Sequence, residues 1–281
     1  MSQTKINIIY FVILLLFTVY FFIWPSENDI IKDTLLPGAI MAVVGILSSG
    51  LTTILKNIKR LCLYIPCTLW FRNTNIRVSI SYIYRIKIKN KYLLVINKRD
   101  RHLQPVGGVY KSLSDSVKEL ERLGVKADNL FETEDGVAKR DLRLFLKGKE
   151  LIPFLDWFDS QEDRELSPWR EFHEELVVTG ILSGVNFPYV NYSYKGRVRT
   201  PIIELNVGGK GYFQYDVYDL VLSDSQQKEL EALYDKGNGE QYRWVTEDQI
   251  QKLGYSDKNC SGSVDVINPH AKWTLNMKYS R

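Results

Sequence analysis

The chain has 281 residues, 45% apolar and 25% charged, with 37 Lys or Arg against 33 Asp or Glu. That composition excludes a disordered polar chain. The net charge of +4 argues against a general duplex-DNA binder, whose domain carries a strong basic excess. Three cysteines (Cys62, Cys67, Cys260) make no disulfide framework, and the three histidines give no structural zinc spacing.

The apolar residues are unevenly spread. Residues 6–24 form an uncharged run that Pro25 ends. At 1.5 Å per residue it covers roughly 28 Å, close to the hydrocarbon thickness of a bilayer. Residues 35–55 form a second uncharged run with Gly38, Gly45 and Gly50, small residues that let membrane helices approach closely. The pattern predicts a two-helix transmembrane hairpin within residues 1–60. The loop between the runs carries three acids and one lysine, and residues 56–60 carry three cations and no acid. The positive-inside rule then puts both termini in the cytoplasm. Residues 61–70 are too short to span and lie either at the interface or against the following domain. Residues 61–76 read as a linker.

From 77 to 91 the chain alternates. Val78, Ile80, Tyr82, Tyr84, Ile86 and Ile88 fall on one face and Arg85, Lys87 and Lys89 on the other, which predicts a half-buried strand. Its basic face suits a phosphorylated ligand, anionic headgroups or plain solvent. Residues 72–101 hold nine Lys or Arg and one acid, Asp100. A return strand over 92–96 precedes the break at Gly107-Gly108. Helices are expected over 114–123, 150–158, 168–178, 223–234 and 247–253, and strands over 142–146, 202–207, 211–222 and 241–245. Strands interleaved with helices predict a mixed α/β domain.

The helix after Pro168 carries Glu171, Glu174 and Glu175 at i, i+3 and i+4, so all three share one face. Like charges at that spacing cost a helix roughly 0.2–0.5 kcal/mol per pair. Such a trio is either a solvated acidic face or an oxygen cluster for a hard cation such as Mg²⁺ or Mn²⁺.

The wider string shifts the weight toward the oxygen cluster. Glu162, seven residues, Arg170-Glu171, apolar Phe172, one residue and Glu174-Glu175 resemble the second part of the Nudix box. Gly107-Gly108 resembles the pair that opens it. Here 53 residues stand between Gly108 and Glu162, where the family has five, so about 109–156 reads as an insertion in the Nudix loop. Two further departures are Asp156, where the family has glycine, and Val177 in place of the glycine after the paired glutamates. The resemblance runs over about 77–275. With the predicted hairpin and the strings DLRLFL, FLDWFDS and REFHEEL, the chain is similar to SMODS-associated Nudix proteins, effectors of CBASS anti-phage systems.

That resemblance implies a Nudix-like α/β/α sandwich over 77–281, following the transmembrane hairpin. It implies metal ligation by Glu171, Glu174 and Glu175. Arg170 would hold a glutamate in place, Glu162 would support the site or help activate water, and Glu175 would take part in catalysis. The nucleotide is expected at Gly107, Gly108, Arg85 and Lys87, and the insertion is expected to act as a lid or oligomer contact. Tyr189, Tyr192, Tyr194, Tyr212 and Tyr215 are candidates for base stacking or for simple packing. The implied protein is an effector in the bacterial inner membrane, homo-oligomeric, switched on by a cyclic oligonucleotide and leading to growth arrest or death through membrane disruption. The alternative is an active metal-dependent hydrolase of nucleoside diphosphate-linked compounds.

Overall fold

The computed structural model describes residues 60–128, 140–256 and 264–280. The two predicted membrane segments, about 6–24 and 35–55, lie outside them, and among the described residues no helix is long and apolar enough to cross a membrane. The chain separates into two compact units, Met1–Ile65 and Pro66–Arg281. Of the first, the described residues 60–65 are helical. In the second, the linker stretch divides: Cys67 is buried, while Leu69 and Trp70 are exposed.

The second unit is built around β1 (Asn75–Arg85), whose alternating Val78, Ile80, Tyr82 and Tyr84 are fully buried. The strand is not half-buried as expected, because Ser79, Ser81 and Ile83 on its other face are buried too. Small and ion-paired residues hide that face from a hydropathy reading. Arg77 lies 2.7 Å from Asp128, and Arg85 lies 2.8 Å from Asp219. Lys87 and Lys89 leave the strand altogether. The chain turns at Ile86, β2 (Lys87–Ile88) joins a second sheet, and Lys89 takes a φ of 52°.

β3 (Lys91–Ile96) and β4 (Leu103–Pro105) follow, then β5 (Gly107–Val109), α1 (Val117–Arg122), β6 (Lys126–Ala127), β7 (Arg143–Lys147) and α2 (Gly148–Ser160). α3 (Trp169–Phe172) runs into a π-helical turn over His173–Val177. Next come β8 (Asn191–Arg199), β9 (Ile203–Glu204), β10 (Lys210–Val221), α4 (Asp224–Lys236), β11 (Tyr242–Thr246), α5 (Glu247–Gln251), β12 (Gly254–Ser256), β13 (Val264–Val266) and α6 (Pro269–Leu275). α4 and α5 open on capping boxes, Ser223 with Gln226 and Thr246 with Gln249, each pair satisfying two orphan N–H groups.

The main sheet runs β6-β7-β1-β10-β8, with β5 also on β1 and β9 also on β10. Among the described residues, only β1 and β10 pair in parallel within it. The second sheet runs β11-β3-β2, with β4 on β3. α2 and α3 cover one face of the main sheet, where Phe158 meets Tyr110 at 5.2 Å and Phe172 meets Tyr84 at 5.4 Å. A second core gathers Leu94, Leu103, Val245, Ile250, Ile267 and Ala271. This is the expected mixed α/β sandwich.

The insertion does not form a lid in its described part. β5 pairs with Ser81–Ile83, and β7 pairs with Asn75–Ser79 along the same side of β1. The segment therefore leaves the sheet at Val109 and returns to fill the rest of that edge. Leu142, Leu144, Leu146, Leu151 and Phe154 are all buried, so it forms part of the core. Asp159 ties α2 across the sheet to Arg197 at 2.5 Å, and Arg197 is in turn paired with Asp216 of β10.

Candidate functional site

Gly107 and Gly108 sit on the edge of β1, opposite Ile83 and Tyr82. Gly107 requires glycine, whereas Gly108 leaves room for a neighbouring side chain. Gly107 has a φ of 146°, and a Cβ there would lie 2.1 Å from the Tyr82 carbonyl oxygen. A Cβ on Gly108 would lie 2.2 Å from Cδ of Glu171. The close approach is the point of the glycine pair: the helix carrying the glutamates rests against bare backbone.

The insertion leaves this junction intact. The Gly107 N–H donates to Glu175 Oε2 at 2.9 Å, and Gln104 Nε2 donates to Glu175 Oε1 at 3.3 Å. Asn97 Nδ2 donates to Gln104 Oε1 at 2.9 Å and fixes that amide. The Tyr82 hydroxyl, at the foot of α3, accepts the Glu171 N–H at 3.3 Å.

Arg170 organises the other side. Its Nη1 lies 2.5 Å from Glu171 Oε1 and 3.6 Å from Glu174 Oε2. Nη2 donates to the Val109 carbonyl at 2.9 Å, and Nε donates to Glu165 Oε1 at 3.1 Å. Glu165 Oε2 also accepts the Lys111 N–H at 3.1 Å. Arg170 thus holds Glu165 as well as Glu171. Glu162, expected to support the site or help activate water, is exposed in the turn after α2, its N–H on Ser160 Oγ at 3.4 Å. Both glutamates precede Arg170 in one loop, and the motif spacing alone favoured the one that points to solvent.

The three glutamates do not share one regular helical face. α3 ends at Phe172, and the π-helical turn carries Val178 N–H to His173 O at 2.8 Å. A π turn widens the helix by one residue and recurs at functional sites. Glu171 and Glu175 face the glycine pair, whereas the Glu174 side chain is 50% exposed. Burial pushes Glu175 up to about 8, with Glu171 and Glu174 adding like charge against the Gly107 and Gln104 hydrogen bonds. Burial also raises Glu171, opposed by Arg170 and reinforced by Glu174 and Asp141. Asp141, from the insertion, is itself raised by burial. Sequence reasoning missed Gln104, Tyr82, Asp141 and Glu165, none of which belongs to a fixed spacing.

As donors these carboxylates suit a hard divalent ion. Glu171 and Glu175 are crowded like charges that a cation would relieve, and Arg170 already supplies one positive group there. Among the described residues no group of three His, Cys, Asp or Glu is gathered tightly enough to form a ready-made cage.

The expected nucleotide contacts divide. The Gly107 N–H is taken by Glu175. Arg85 and Lys87 lie elsewhere, on a groove at the end of β1. Of the candidate stacking tyrosines, Tyr212 is fully buried and Tyr215 stacks on His270 at 5.6 Å. Tyr189, Tyr192 and Tyr194 are exposed, and the last two lean on Tyr218 at 5.2 and 5.5 Å.

Residues 75–275 match the family model for the SMODS-associated NUDIX domain. No curated protein and no solved structure matches the chain.

Proposed function

Because the chain belongs to the SMODS-associated NUDIX family, and so to CBASS-linked defence, we propose that it is a membrane-anchored effector switched on by a cyclic oligonucleotide. The observation that carries this reading is the closed contact between Gly107-Gly108 and Glu171 and Glu175, kept across a long insertion. That contact joins the two halves of the Nudix-like motif and supports a nucleotide-handling domain. The two uncharged runs, about 6–24 and 35–55, support anchoring in a bacterial inner membrane with both termini cytoplasmic. Assembly into a homo-oligomer then disrupts the bilayer and stops growth.

Nudix domains typically use divalent metals. In this chain Glu171, Glu174 and Glu175 would hold Mg²⁺ or Mn²⁺, which when bound supplies charge stabilisation at phosphate oxygens. Arg170 orients Glu171 and Glu165 through its two ends. Gly107 N–H and Gln104 Nε2 hold both oxygens of Glu175. A second reading, hydrolysis of a nucleoside diphosphate-linked compound, draws on Glu175 itself. A carboxyl shifted to about 8 holds or takes a proton near neutral pH, as a general base must.

The discriminating experiment expresses the wild type, Glu175→Gln and a chain lacking residues 1–60 beside a cyclic-oligonucleotide synthase. The effector reading expects Glu175→Gln to stay toxic and the truncated chain to be harmless. The opposite pattern supports hydrolysis.

A further inference from the structure

Among the described residues the main sheet has one parallel pair, β1 and β10, and a groove of about 300 Å³ opens where their carboxyl ends come together. Its walls include Arg85, Lys87, Tyr92, Asp219, Leu220 and Leu222. None of Gln104, Gly107, Gly108, Glu171, Glu174 or Glu175 lines it. In open α/β sheets, ligands bind in the crevice outside the carboxyl ends of parallel strands, and this groove occupies the corresponding place beside one parallel pair. The volume is at the lower end of the range for small-molecule sites, about 300–1,000 Å³.

The charges around the groove are arranged for an anion. Arg85 is held by Asp219 through two hydrogen bonds, Nε to Oδ1 at 2.8 Å and Nη2 to Oδ2 at 3.0 Å. Guanidinium carries five N–H donors in a planar fork, so three remain, on a side chain whose position is already fixed. Lys195 of β8 reaches the same carboxylate at 3.5 Å. Lys87 is exposed, and its ammonium lies 5.1 Å from the centre of the Tyr92 ring. Arg85 and Lys195 pair with Asp219, and Lys87 adds a third cation on the groove wall, an excess equal to two phosphodiester charges. The Tyr92 ring, which also packs against the second core, carries the Lys87 ammonium, so a base stacks on it by displacing that contact.

We propose that this groove, and not the carboxylate centre, binds the phosphodiester and base of the activating cyclic oligonucleotide. The proposal rests on the sensing reading above and separates the sensing surface from the glutamates. Sensing then requires no hydrolysis, and loss of the glutamates leaves the signal readable. The phosphodiester of an anionic lipid headgroup shares the anion chemistry. The concave shape and the Tyr92 wall favour the nucleotide.

The test uses the full chain in detergent and isothermal titration with cyclic di-adenylate, cyclic di-guanylate and cyclic tri-adenylate. A second arm measures binding to phosphatidylglycerol vesicles. The variants are Lys87→Glu with Lys195→Glu, Tyr92→Leu, and Glu175→Gln, each checked by thermal melting. The two lysines are exposed, so their reversal keeps the fold. The groove predicts that the double reversal weakens nucleotide binding about tenfold or more and flattens its salt dependence. Glu175→Gln should stay within about twofold of wild type. Wild-type binding unchanged by the reversal but lost in Glu175→Gln would place the nucleotide on the carboxylates and overturn the groove alone. Loss of vesicle binding only, with nucleotide affinity intact, would assign the groove to lipid and likewise overturn it. A wild type that binds none of the three probes would remove the sensing reading and the groove with it.

Discussion

Two charged regions flank the same strand and treat charge in opposite ways. On one side of β1, β5 brings Gly107 and Gly108 against Glu171 and Glu175, crowding negative charge into contact with backbone. On the other side, β10 brings Asp219 to Arg85, and Lys87 and Lys195 stand around them in the open. The first region is fixed by packing, so changes there should disturb folding. The second is fixed by the half-buried Arg85–Asp219 pair, with exposed lysines around it, so changes to those lysines should alter ligand affinity and leave the fold alone.

Arg170→Ala should give the largest effect. It strands Glu165, Glu171 and the Val109 carbonyl without their shared donor. Breaking a partly buried pair from one side costs about 3 kcal/mol, read as a lower urea midpoint. Magnesium should restore part of that loss, and a midpoint unchanged from wild type would mean that Arg170 does not organise the carboxylates.

Gly108→Ala comes next. Its Cβ would meet Glu171, a flexible side chain that can move aside, so the loss should be about 1–3 kcal/mol. The displaced Glu171 should also weaken the melting shift caused by Mn²⁺. A full Mn²⁺ response in this variant would show that the ion binds elsewhere.

The pH dependence follows from Glu175. Its folded value, about 8, lies above its ordinary 4.5, so the folded protein holds a proton that the unfolded chain releases. In chelator, this contribution to stability is complete below about pH 4.5 and is lost as pH rises through about 8. Glu171 acts in the same direction. Urea midpoints across this window should slope downward for wild type and flatten in Glu175→Gln. Equal slopes would remove Glu175 as the group responsible.

The smallest effects separate the two loop glutamates. Glu165→Gln should cost about 1–2 kcal/mol, since its carboxylate serves both Arg170 and the Lys111 N–H. Glu162→Gln should stay within about 0.5 kcal/mol, because the residue is exposed. The reverse order would return the supporting role to Glu162.

These contrasts also mark what the sequence could convey. The glycine pair, the glutamates and Arg170 were legible because the chemistry fixes their spacing within short segments. Alternation correctly placed Val78, Ile80, Tyr82 and Tyr84 in the core. It could not show that Ser79 and Ser81 are buried as well, because small polar residues carry no hydropathy signal. The π-helical turn was invisible for a similar reason: HEELV reads as ordinary helix until its register is set by packing. β8 was missed because NYSYKGRVR is an exposed, charged edge strand. Glu165 was passed over because its partner is chosen by the path of a loop, and the role of the insertion in the sheet depends on pairings more than fifty residues apart.

The most direct test of the central claim is leakage of a trapped dye from liposomes carrying the purified full chain. The account predicts release only when a cyclic oligonucleotide is added, undiminished in Glu175→Gln and absent when residues 1–60 are removed. Sealed liposomes with every cyclic probe, together with turnover of a nucleoside diphosphate-linked compound by the wild type and none by Glu175→Gln, would contradict it.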